Sequence, residues 1–359
     1  MTTAMSTDTE GGRIGRLAEV VSPAPREVWA DLVKTDSEAL VTQTPEWTDA
    51  MVRTGRFVDV SRLYTFDDGR RFVLPLARRH GPAGAVLGDQ GFPNGWGIGG
   101  LVGPRPDASV VAALFKDLRS RALHRTQIRP NPRHGSMFRD GAPPSVHGLA
   151  RRAHVIDMRN GLDDIWTRFS RAARRGVRKG EKAGLDVEHG SSERLVREYY
   201  ALHEKSVTRW AAQQHEPLIL ARRRAEARDG LKKWLTIADA LGPMCRISVA
   251  RLGGEPVGAM VLLRGPNGHE TRSAFDRERI QGSDPTYLLT WLGIQESVAC
   301  GASWYHLGET GTSARLADFK ERFAAEPYDY ADYRVERLPV TRTDLLARAA
   351  VKRLIGFQD

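Results

Sequence analysis

Apolar residues recur at helical spacing in some stretches of the chain and alternate at strand spacing in others. In residues 26–33, Trp29, Leu32 and Val33 share one helical side, and residues 46–52 repeat that spacing behind Pro45, which suits a first helical turn. Residues 110–121, 191–211, 231–241 and 287–300 read as further helices. The second of these carries Leu195, Tyr199, Leu202 and Val207 on one face, and Gly301 ends the last. Residues 61–66 and 71–77, separated by Asp67-Asp68-Gly69, read as strand, tight turn, strand. Pro75 has no N–H to donate, which places it at an edge or a bulge of the second strand. The pattern returns at 246–252 and 257–264, joined by Gly253-Gly254-Glu255-Pro256, and 304–307 reads as one more strand. The likeness of 64–76 to 249–262 is one of pattern, and implies one core-sheet hairpin in each of two lobes. Residues 91–103 hold seven glycines or prolines around Trp96, Ile98 and Leu101, the composition of a shaped loop that lines something.

A length of 359 residues fits two packed lobes, and 35 glycines fit many turns and short strands. Residues 1–15 are small and polar, without the apolar run of a secretory signal, and no stretch reaches the length of a membrane span. The expectation is a cytoplasmic protein with a disordered start. Cys245 and Cys300 lack metal or redox spacing, and His203, His215, His269 and His306 lack paired ligand spacing, so no metal is expected.

The formal net charge of +10 changes the picture, because a phosphate-rich partner would exploit it. Much of it is local. Between residues 166 and 182 lie Arg168, Arg171, Arg174, Arg175, Arg178, Lys179 and Lys182, opposed only by Glu181. Trp166, Phe169, Ala173 and Val177 fall on one helical face and the cations on another. Like charges at this spacing cost a few tenths of a kcal/mol per pair, on the order of what helical ion pairs contribute, and Gly176 and Gly180 cost roughly 1 kcal/mol each. Two compensations are open: a nucleic-acid backbone, or acidic partners within the fold such as Asp163, Asp164, Glu188 and Glu193.

Four segments resemble the Fem-type (FemAB) aminoacyltransferase family. Gln43-Thr44-Pro45-Glu46-Trp47 is similar to its opening Q-S-x-x-W helix, and residues 175–185 resemble its R-x-x-R-K-x-x-x-x-G-L segment at the lobe junction. Tyr199-Tyr200-Ala201-Leu202-His203 with Thr208-Arg209 looks like its helix ending in T-R. Residues 301–308 with Leu316-Ala317-Asp318-Phe319-Lys320-Glu321-Arg322-Phe323 resemble its G-x-x-x-Y-x-x-G and L-x-x-F-K-x-x-F ending, although the family's F-G is Phe323-Ala324 here. The motifs cover about residues 43–330.

The resemblance implies an α/β (α+β) fold of two tandem acetyltransferase-like (GNAT) lobes, each a mixed, mostly antiparallel sheet flanked by helices. The expected boundaries are 16–157 for the first lobe, 158–190 for a basic connecting helix, 191–340 for a second lobe with the active site, and 341–359 for a C-terminal helix. It also implies transfer of an amino acid from aminoacyl-tRNA to the amine of a peptide, cell-wall precursor or natural product, with no cofactor beyond the tRNA co-substrate. Lys320 is the expected catalytic residue, steadying the tetrahedral intermediate or a terminal tRNA phosphate. Trp47, Arg209, Tyr287 and Phe319 are expected on the substrates, and Arg171, Arg175, Arg178, Lys179 and Lys182 on tRNA. A pseudo-dimer within one chain makes a monomer the default.

Two other readings stay open, an acyl-CoA-dependent N-acyltransferase and a non-catalytic RNA-binding lobe pair. Against the first, the place where a GNAT loop would cradle the CoA pyrophosphate reads Arg279-Ile280-Gln281-Gly282-Ser283-Asp284-Pro285, with a carboxylate instead of a small residue.

Overall fold

The computed structural model describes residues 15–82, 84, 88–91, 93, 95–120, 125–280, 282–311 and 313–336. Of the disordered start expected over 1–15, all but the last residue lies outside them, as does the helix expected over 341–359.

The first half of the chain runs β1 (Leu17–Val21), α1 (Arg26–Thr35), α2 (Pro45–Arg53), β2 (Phe57–Asp59), β3 (Arg62–Phe66), β4 (Arg71–Leu74), β5 (Ala77–Arg79), β6 (Asp89–Gly91), α3 (Ala108–Ser120), β7 (Thr126–Ile128), α4 (Gly135–Gly141) and β8 (His147–Asp157). Residues 57–79 form one long hairpin that bends midway. Its base, β2 with β5, belongs to the large sheet, whereas its tip, β3 with β4, pairs with β1 in a separate three-stranded sheet. The bend falls at Val60 and Ser61 opposite Pro75 and Leu76, where the proline's missing donor interrupts the ladder. The expected core-sheet hairpin is therefore present, but over 57–59 and 77–79 and not over 61–77.

The second half runs α5 (Gly161–Arg168), α6 (Arg171–Lys182), β9 (Asp186–Gly190), α7 (Glu193–Gln213), α8 (Leu218–Asp229), α9 (Leu231–Leu241), β10 (Cys245–Leu252), β11 (Glu255–Arg264), β12 (Gly268–Phe275), α10 (Pro285–Ala299), β13 (Trp304–Glu309), α11 (Ala314–Glu321) and β14 (Glu326–Val335). The single basic helix expected over 158–190 is thus two helices and a strand. Phe169 takes an extended backbone, and the Ser170 side chain accepts from the Ala173 N–H to start α6. Phe169, Ala173 and Val177 nevertheless lie together in the core under α10 and β13, as their spacing requires.

One sheet of eleven described strands, in the order β2-β5-β6-β7-β14-β8-β13-β12-β11-β10-β9, runs through both lobes. Each lobe contributes one parallel pair, β6 with β7 and β12 with β13, among antiparallel neighbours. The lobes exchange their last strands: β8 of the first pairs with β13 of the second, and β14 of the second pairs with β7 of the first. At the centre β8 and β14 run antiparallel from Val155 opposite Glu326 to His147 opposite Arg334. No helix among the described residues is long and apolar enough to cross a membrane.

Candidate active site

The parallel ladder between β12 and β13 holds only for Gly268 with Tyr305 and His269 with His306. Beyond these pairs the strands part. Gly308 stands at φ +73°, a conformation open to glycine at little cost, and turns the end of β13 out of register with β8. Where the strands separate, a cavity of about 680 Å³ opens, lined by Glu270 and Arg272 of β12, Leu307 and Glu309 of β13, Arg209 and Trp210 of α7, Tyr287 of α10, and Phe319, Lys320 and Arg322 at the end of α11.

Lys320 is buried, and its ammonium donates to the carbonyls of Gly308 and Glu309 at 2.8 and 2.7 Å. An ammonium has three N–H groups, so two carbonyls fix its direction and leave one donor for the cavity. Burial lowers its pKa to about 8, against the pull of Glu270 and Glu309 toward the charged form. Glu270 accepts from Tyr305 Oη and Thr290 Oγ1, each at 3.3 Å. Burial raises its pKa to about 7, and Lys320 and the two hydroxyls only partly offset this. A carboxyl pushed up and an ammonium pushed down toward neutrality, in one cavity, make an acid–base pair that works near neutral pH.

Four of the expected site residues meet here: Lys320, Arg209, Tyr287 and Phe319 all line the cavity. Arg209 donates to the Phe275 carbonyl at 3.3 Å, and Tyr287 packs against Phe319 and Phe323 while its hydroxyl accepts from Arg322 at 3.1 Å. Trp47 does not join them, which corrects the expectation that it contacts substrate. It is a core residue whose Nε1 donates to the Trp96 carbonyl at 3.1 Å. The Gln43-to-Trp47 motif, with Thr42 before it, works as a clamp for the glycine-rich loop. Thr42 holds the Ile98 carbonyl and Gln43 that of Leu101, and a Cβ on Gly97 would stand 2.8 Å from the Thr42 methyl. The loop lines a core contact between lobes.

Arg171, Arg175, Arg178, Lys179 and Lys182 project along the exposed face of α6 and line a groove with Arg174. Of the acidic residues named above, Asp164 pairs with Arg168 of α5, Glu188 with Arg194 and Arg251, and Glu193 with Arg197, none of these a cation of α6. Among the described residues the stripe has one ion pair, Lys179 with Asp284 at 3.2 Å, and one ring contact, Arg178 over Trp166. The groove continues inward. Arg175 and Lys179 line a smaller hollow together with Asp284, Tyr287 and Arg322, and those three also line the 680 Å³ cavity. A basic track thus runs from α6 to the Glu270–Lys320 pair.

Comparison with known proteins agrees with this architecture. Residues 167–321 match the model of the acetyltransferase (GNAT) domain. FemX superposes with a TM-score of 0.61 at 12% identity, over 91% of this chain and 99% of that one. The chain has the Fem-like GNAT fold.

A conserved protein of unknown function from Bacteroides thetaiotaomicron gives a TM-score of 0.50 at 10% identity, covering 86% of this chain and 95% of that one. A tandem GNAT protein from the clavulanic acid biosynthesis pathway gives 0.48 at 13%, covering 89% and 98%. No curated protein matches. The Fem-like GNAT fold accounts for two lobes that each hold one parallel strand pair. Sequence reasoning missed Glu270, Glu309 and Trp210. Glu270 belongs to no motif, and its strand was not recognised. Trp210 offered a signal, a large aromatic beside Arg209 on a helix whose apolar stripe it does not join; it stands exposed at the cavity rim.

Proposed function

We propose that this protein is an aminoacyltransferase that moves an amino acid from aminoacyl-tRNA to an amine. The observation that carries the reading is the basic face of α6, with the Lys179–Asp284 pair its one ion pair among the described residues, leading through Tyr287 and Arg322 to Glu270 and Lys320. A tRNA backbone on α6 neutralises the stripe, and its 3′ end follows the track inward. The acceptor amine attacks the ester carbonyl of the aminoacyl group and a C–N bond forms. The Glu270 carboxylate takes the amine proton, and the free N–H of Lys320 faces the oxygen on which negative charge develops. The ester C–O bond then breaks, and the departing ribose oxygen receives the proton from Glu270. The ester is already activated, so positioning supplies much of the help.

An acyl-CoA donor is the second reading, favoured by the GNAT domain match over residues 167–321. The start of α10 opposes it. A helix start that cradles pyrophosphate offers free N–H groups, whereas here Asp284 sits at φ +44° with its carboxylate on Lys179, and Pro285 follows without a donor. The deciding experiment incubates the protein with charged tRNAs, labelled in the amino acid, and a panel of amines. RNase-sensitive label transfer that Glu270→Gln abolishes supports the aminoacyl-tRNA reading; absence of transfer together with thermal stabilisation by CoA replaces it with the second.

A further inference from the structure

A second cavity, of about 460 Å³, lies between the parallel pair β6 and β7 of the first lobe and helices α8 and α9 of the second. Its chemistry is different. Gln90 and Gln127, partners in the parallel register, present two amides and no carboxylate to the cavity. Ten of its nineteen lining residues are arginine or lysine, against a single glutamate, Glu226. Some of these cations are neutralised from behind: Arg129 and Arg151 by Asp332 and Glu309, Arg228 and Lys233 by Asp229. Arg56, Arg79, Arg125 and Lys232 have no ion pair among the described residues. The Arg125 Nε is also shut off from solvent without a hydrogen-bond partner among them. Several like charges converging on one hollow repel each other until a multivalent anion occupies it.

From this geometry we infer that this cavity is a binding site for a compact, multiply charged phosphate group, as a free oligophosphate or as the phosphate end of a small molecule. Arginine forks match phosphate oxygens in pairs, and the two amides add neutral donors for the remaining oxygens. A volume of about 460 Å³ suits a small molecule. The site is distinct from the tRNA track, which reaches the reaction cavity past Tyr287 and Arg322 and shares no lining residue with this hollow. It does adjoin the reaction cavity. Glu309 lines the latter and holds Arg129 and Arg151 of the former, and Arg272 lines the latter while sharing Asp229 with Arg228 and Lys233. A phosphate-bearing ligand anchored here therefore lies one side-chain layer from Glu270 and Lys320.

The test is direct binding by the full chain, measured by calorimetry with inorganic pyrophosphate and with nucleoside diphosphates at constant ionic strength. Saturable binding is expected, and Arg56→Ala with Lys232→Glu, both exposed, weakens it by at least about tenfold, the scale of one lost charge-assisted hydrogen bond. Lys320→Ala and Glu270→Gln leave it unchanged, so the site stands or falls independently of the proposed reaction. Equal affinity for pyrophosphate and nucleoside diphosphates assigns a free oligophosphate, and tighter binding of one nucleoside diphosphate assigns a nucleotide-linked group. The assignment is overturned if pyrophosphate binds no better than chloride. It is overturned equally if the Arg56/Lys232 variant binds like the parent, or if uncharged tRNA displaces pyrophosphate from the parent, which would make this hollow part of the RNA path.

Discussion

At the scale of single residues, the candidate chemistry depends on two groups whose surroundings push their pKa values toward each other. Glu270 must be ionised to accept a proton and Lys320 must be protonated to face an oxyanion. Transfer should therefore rise with pH through about 7 and fall above about 8, a narrow bell in kcat/KM. Glu270→Gln should lower kcat by about a hundredfold or more, the usual reach of a positioned base, and erase the acid limb while the alkaline limb stays. An unchanged acid limb in that variant would remove Glu270 from the proton's path. Of this pair the sequence showed only one member. Lys320 stands between two phenylalanines at helical spacing in a segment that resembles a family motif, so it could be singled out. Glu270 is one glutamate among many in a strand whose mixed His, Thr, Arg and Ser pattern conceals the period, and its importance comes from where β12 and β13 separate. Trp47 shows the converse: its motif was visible, but only the fold shows that it holds a loop.

At the scale of elements, α6 carries both the basic stripe and the packing that positions it. A Cβ on Gly176 would lie 2.5 Å from Tyr287 Cγ, and one on Gly180 would lie 2.8 Å from Leu288 Cβ. The two glycines, costly to an isolated helix, let α6 lie close against α10. Gly176→Ala should force Tyr287 aside and destabilise the protein by about 1–3 kcal/mol, the range for overpacking, read as a lower urea midpoint with unchanged slope. An unaltered midpoint would mean the two helices are free to separate. Exposed charge reversals on the same helix, Arg175→Glu and Lys182→Glu, should leave the midpoint unmoved. Each should weaken tRNA binding and flatten its dependence on log salt by roughly one unit for every phosphate no longer neutralised. The helices were largely legible because their apolar faces recur every three or four residues. The break at Phe169 and Ser170 was not, since the apolar period from Trp166 to Val177 runs through it and only the Ser170 cap interrupts the backbone. Strand β14 was missed for a similar reason: Asp332 sits at an inward position and reads as a surface residue until its two arginines are seen.

At the scale of the whole molecule, the exchange of β8 and β14 decides how the lobes depend on each other. Each lobe's sheet is completed by a strand of the other, so neither can unfold without exposing the ladder of its neighbour. Tryptophan fluorescence and far-UV circular dichroism should report one coincident urea transition, and two separated transitions would show that the exchanged strands do not couple the lobes. Asp332 is the point where this coupling is most concentrated. It lies on β14 of the second lobe, fully buried, and binds Arg129 with two hydrogen bonds of 2.7 and 2.9 Å and Arg151 at 2.8 Å, both from the first half of the chain. Burial alone would raise its pKa, but the two guanidiniums more than offset this and hold it below the ordinary carboxylate range. A carboxyl with a depressed folded-state pKa adds stability that is present above its unfolded value and disappears as the pH falls through the folded one. Asp332→Asn should therefore cost about 3–5 kcal/mol at neutral pH, the scale of breaking a buried pair from one side. The loss should shrink on acidification, because the parent protein surrenders the same interaction there. A deficit that stays constant from neutral to strongly acid pH would mean that Asp332 contributes by its shape in the sheet, and the charge network across the lobes would not be what joins them.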